Sequence, residues 1–113
     1  PEMAVNLPPL GELLPVPGVE VGTACAGIKQ KVRDDLTVLL LAEGATVAGV
    51  FTKNAFRAAP VQLAEAAIAR GGVRALVINS GNANAATGEP GLADARAITA
   101  ALEAKAGLPA GSA

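Results

Sequence analysis

From Leu36 the chain reads LTVLLLAE and from Thr46 TVAGVFT, two apolar runs rich in leucine and β-branched residues on either side of Glu43-Gly44-Ala45. Such runs favour strands and a central glycine supplies the positive φ of a tight turn, so the pattern predicts a β-hairpin. Neither run alternates cleanly between apolar and polar positions, which predicts that both faces are covered. Upstream, VEVGTACAGIKQ (Val19 to Gln30) is compatible with a strand whose small residues permit close backbone approach, and KVRDD makes a charged turn. Downstream, KNAFRAAP reads as a loop, VQL as a short strand and AEAAIAR (Ala64 to Arg70) as a short helix stopped by Gly71-Gly72. VRALVIN (Val73 to Asn79) reads as a buried strand. A helix follows from about Gly91 to Ala106, with Leu92, Ala95, Ile98 and Leu102 on one face at helical spacing and Gly107 and Pro109 ending it. Residues 1–18 hold five of the eight prolines and read as an extended lead-in over a neighbouring surface, leaving 19–113 as a partial α/β domain.

Between the last strand and the last helix the chain runs NSGNANAATG, Asn79 to Gly88, without a single charge. Asn79, Asn82 and Asn84 offer amide donors and acceptors, Ser80 and Thr87 offer hydroxyls, and the glycines let the segment fold back on its own backbone. Loops that follow a strand and open a helix are common ligand sites in α/β folds, which makes this one a candidate wall of a cleft for a small polar ligand. The alternative is a self-satisfied buried loop whose small residues let two layers approach. Physics alone leaves both open.

The chain has 113 residues and is 51% hydrophobic, enough for one small core, but that hydrophobic content is mostly Ala, Val and Leu, with two Phe and no Trp or Tyr. Small side chains bury little apolar area each, so this piece is expected to lean on something larger. The net charge is −1 and the cations (Lys29, Lys31, Arg33, Lys53, Arg57, Arg70, Arg74, Arg96, Lys105) are scattered, which argues against nucleic acid as a partner. A single cysteine, Cys25, rules out an internal disulfide and a multi-cysteine metal site, so no metal is expected and the cytoplasm is the default compartment. The N-terminal residues lack the basic region of a signal peptide, and Leu36 to Phe51 is too short for a membrane span and carries Glu43; no membrane partner is expected.

Candidate chemistry is sparse. Without histidine the chain cannot build a Ser-His-Asp or Cys-His arrangement by itself. Asp34 and Asp35 are adjacent, and neighbours on a strand point to opposite faces, so they cannot share a proton-transfer task; a solvated turn is the expectation. Cys25 lies among small apolar residues in GTACAGI and reads as a buried, inert thiol. Lys29, Lys53 and Arg57 could bind a carboxylate but read as lone surface cations, and the glycines of GVEVGTACAG match no phosphate-binding spacing.

Four motifs in series carry a resemblance: AGIK (Ala26 to Lys29) followed by DDLTVLL, AGVFTKN (Ala48 to Asn54), AAPV (Ala58 to Val61) and NSGNANAATG. In order and spacing, over roughly Val16 to Leu108, they resemble the N-terminal part of the ornithine acetyltransferase family, the bifunctional glutamate N-acetyltransferases. The resemblance implies an α/β fold, a layered α-β-β-α sandwich of the self-cleaving ornithine acetyltransferase and aminopeptidase type, of which this chain supplies only part. It implies a longer precursor that cuts itself before a threonine, whose freed residue is the nucleophile that moves acetyl from N2-acetylornithine to glutamate without a cofactor. The partners implied are the β chain of the same precursor, in a heterotetramer, with N2-acetylornithine and glutamate as substrates; acetyl-CoA as a further donor is left open.

Neither the Met-Ala-Thr-Met-Leu cleavage motif nor the Ser-Thr-Gly oxyanion segment of that family occurs here, and the latter is expected just after GLPAGSA. No catalytic residue is therefore expected within these residues, and alone they should be inert. Ala86 stands where relatives often carry cysteine. Asn82, Asn84 and Thr87 are then expected near the cleft, bonded to backbone and positioning the reacting groups without touching the acetyl group. A non-catalytic small-molecule-binding or assembly domain, or a related aminopeptidase, is the alternative.

Overall fold

The computed structural model describes residues 8, 9, 11–27, 34–80 and 88–113. Strands β1 (Val19–Ala24) and β2 (Leu36–Leu41) are followed by helix α1 (Ala59–Arg70), strand β3 (Ala75–Asn79) and helix α2 (Gly88–Ala106). The mixed α/β class expected from the sequence is thus present, as one antiparallel sheet ordered β1-β2-β3 and a pair of helices packed on each other. Residues 11–16 carry no regular structure and are exposed.

The leucine run at 36–41 became the central strand. It pairs with β1 from Val19 opposite Leu41 to Ala24 opposite Leu36, and with β3 from Leu36 opposite Asn79 to Leu40 opposite Ala75. That arrangement overturns the predicted hairpin. The turn does form, with Gly44 at φ +86° and the Ala45 N–H donating to Ala42 O at 3.1 Å, but Thr46 to Thr52 is not a strand. Both edges of β2 are already occupied, so the second run cannot pair with it as the predicted hairpin requires. It lies against α1 instead: a Cβ added at Gly49 would meet Ile68 Cδ1 at 3.1 Å. Val50 is 98% exposed, so the expectation that this run is covered on both faces does not hold in this chain.

Register sorts the sheet into two faces. Val21, Leu39 and Leu76 form one row, with Thr23, Thr37 and Ile78 beside it, and here Val21, Leu76 and Ile78 are all exposed. The opposite face carries Ala75, which is buried, and Val77, which is half-buried. β3 is therefore a half-covered strand, where the sequence suggested a fully buried one.

Helix α1 starts earlier than predicted and absorbs the VQL segment. The Val61 and Gln62 N–H groups both donate to Ala58 O, and Pro60 stands in the first turn, where a missing N–H costs nothing. Its end matches the expectation: Gly71, at φ +77° and ψ −179°, donates its N–H to Ala67 O and Ile68 O, both at 3.2 Å. This backbone region is essentially open to glycine alone, so Gly71→Ala in the full-length protein is expected to cost about 1–3 kcal/mol. Nothing lies within 4 Å of the added Cβ, so the cost is purely conformational. Gly22 in β1 is equally open in space and has no positive φ, and Gly22→Ala should change stability by less than about 0.5 kcal/mol. Urea denaturation of both variants checks the contrast; equal effects would refute it.

Helix α2 begins at Gly88, slightly upstream of the predicted Gly91, with Glu89 and Pro90 in its first turn, both favoured there. Leu92, Ala95 and Leu102 are half-buried as expected, while Ile98 is exposed at the margin of that face. Glu103, four residues beyond Thr99, is buried. No helix among the described residues is long and apolar enough to cross a membrane.

Candidate functional site

Asn82, Asn84 and Thr87, the residues expected beside a cleft, lie outside the described residues, as does Lys29. The described start of that loop is tied to the far end of the sheet. Ser80 N–H donates to Asp35 O at 2.9 Å, and Asp35 N–H donates to Ala24 O at 3.1 Å, so the end of β3 is stitched to the connection between β1 and β2. The Asp35 side chain completes the stitch: its Oδ1 accepts the Ala26 N–H at 2.6 Å.

Asp35 is only 3% exposed, which corrects the expectation of a solvated Asp34-Asp35 turn. Only Asp34 behaves that way: it is exposed and accepts a hydrogen bond from Thr23 Oγ1 at 2.9 Å. The pair lies just ahead of β2, and the inner carboxylate is held because it caps a backbone donor, the Ala26 N–H. Cys25 is exposed, where a buried thiol was expected; it directly follows the last residue of β1. Arg57 is not a lone cation, since it forms an ion pair with Glu65 of α1, whereas Lys53 is exposed.

At the opposite end of β3 a second group of residues converges, and sequence reasoning missed it. After α2 the chain folds back so that Glu103 Oε1 accepts the N–H groups of Gly111 and Ala113, each at 3.1 Å. Leu108 N–H returns to Glu103 O at 2.9 Å, and Ser112 Oγ donates to Pro109 O at 2.6 Å. Ser112 O then accepts from Arg74 N at 2.7 Å and Ala75 N at 3.3 Å, which joins this turn to the start of β3. Two arginines brace the junction: Arg70 Nη2 donates to Gly111 O at 3.1 Å and Arg74 Nε to Leu41 O at 3.0 Å. The available signal was in the helix period, because Glu103 shares the face of Ala95 and Thr99, where a charge must find partners.

Beside this junction an open cleft of about 330 Å³ lies between the two helices, lined by Leu63, Arg70, Arg96, Thr99 and Glu103 among others. Its charged groups are bound to backbone or exposed, and no group of three or more His, Cys, Asp or Glu side chains among the described residues could hold a metal ion. What the arrangement does chemically is hold backbone: the buried carboxylates among the described residues, Asp35 and Glu103, accept main-chain N–H groups, of Ala26 after β1 and of Gly111 and Ala113 in the turn that meets the start of β3.

Residues 20–113 match the family model described as the ArgJ family. Among curated proteins, the arginine biosynthesis bifunctional proteins ArgJ of Pseudomonas fluorescens (strain Pf0-1) and Pseudomonas syringae pv. tomato are each 56% identical over 108 residues, which is 96% of this chain and 26% of the relative. The chain thus spans about a quarter of the length of these relatives. Among solved structures, the arginine biosynthesis bifunctional protein ArgJ of Bacillus halodurans superposes with a TM-score of 0.78 at 34% identity, covering 85% of this chain and 50% of that one. The ornithine acetyltransferase of Mycobacterium tuberculosis, solved in complex with ornithine, gives 0.70 at 38% identity, covering 77% and 48%. With these neighbours the described strands and helices form one part of the layered α/β sandwich of the ornithine acetyltransferases. The motif series, the fold and the match over residues 20–113 agree, and the chain belongs to the ArgJ family.

Proposed function

We propose that this chain is the N-terminal part of a cytoplasmic glutamate N-acetyltransferase of arginine biosynthesis, which moves acetyl from N2-acetylornithine to glutamate. The observation that carries the reading is the likeness to an ornithine acetyltransferase solved with ornithine, at 38% identity over 77% of this chain. In this reading the precursor cleaves itself and the freed N-terminal threonine of the β chain attacks the acetyl carbonyl. Its α-amino group takes the hydroxyl proton and passes it to the departing amine of ornithine. Glutamate then attacks the acetyl-enzyme through its own amine and restores the hydroxyl. The developing oxyanion is met by a Thr-Gly pair in a segment that follows residue 113 in the full-length protein.

The residues described above contribute scaffold to that reaction: they form part of the sheet and the turn that leads toward the oxyanion segment. Asn82, Asn84 and Thr87 are assigned to the wall of the cleft, where amide and hydroxyl groups bond to backbone. The α and β chains associate as a heterotetramer.

Intact mass and N-terminal sequencing of the purified full-length protein are expected to give two polypeptides, the second beginning with Thr. Incubation with N2-acetylornithine should add one acetyl group to that second chain, and glutamate should remove it as N-acetylglutamate. A single uncleaved polypeptide that takes up no acetyl would overturn the reading.

A further inference from the structure

We draw no further inference here: the strongest candidate, the open cleft between α1 and α2 lined by Arg70, Arg96 and Thr99, is walled in part by Gly111 and Ala113, and nothing in the structure shows whether a small anion or further chain fills it.

Discussion

Residues 1–113 produced alone are expected to show no cooperative thermal transition, although the full-length protein should melt sharply. Half the chain is apolar by composition, yet the buried hydrophobic residues among those described are Ala59, Ala67 and Ala75, and no large side chain is fully buried. Ordering a residue's backbone costs about 1–2 kcal/mol, and apolar burial returns only about 25 cal/mol per Å². Three alanines are far too little against that cost. The surface area says the same: a self-sufficient monomer of this mass exposes roughly 5,700 Å², whereas this chain exposes 8501 Å². Part of the exposed apolar surface lies on the sheet face of Val21, Leu76 and Ile78, which a layered sandwich would cover with further chain, and more lies on Leu13, Leu14, Val16, Val50 and Phe56. Scanning calorimetry and size-exclusion chromatography of the isolated fragment provide the check. A sharp, reversible transition from a monomer would show that the core is adequate after all.

Asp35→Ala in the full-length protein is expected to destabilise it by about 3 kcal/mol, the combined loss of a charge-assisted bond and the stranding of a backbone donor. The carboxylate is buried and its bond to the Ala26 N–H is short, and the same residue's backbone links Ala24 to Ser80. The neighbouring Asp34→Ala removes only an exposed bond to Thr23 and should cost less than about 0.5 kcal/mol. Asp35→Asn, which keeps an acceptor oxygen but no charge, should fall between them. Urea midpoints at constant slope give the three values directly. Comparable losses at positions 34 and 35 would mean that the buried cap contributes little.

The contrast between those aspartates also shows how far the sequence could be read. Adjacency implies that the two side chains diverge, but which one turns inward depends on where β1 ends and whose N–H group is left over, and that is decided by the register of β1 on β2. The convergence on Glu103 had a similar status. Its place on the buried face of α2 follows from helical spacing, while its partners come from a turn that had to fold back before they could be met.

What the sequence determined by itself is local in its physics. Gly71 ends α1, Gly107 and Pro109 follow the end of α2, and Gly44 makes a turn after Leu41, because each outcome depends on a few dihedral angles and hydrogen bonds within one turn of chain. The motif series AGIK, AGVFTKN, AAPV and NSGNANAATG likewise pointed to the family that the match over 20–113 establishes. Tertiary structure alone decided the partners. Thr46 to Thr52 has the composition of a strand and is not one, since β1 and β3 reach both edges of β2 from elsewhere in the chain. VQL, similarly strand-like, was drawn into α1 by a helix start at Ala58 that propensity did not mark. Pairing and burial are settled by which segments arrive at a surface, and no short window of sequence contains that competition.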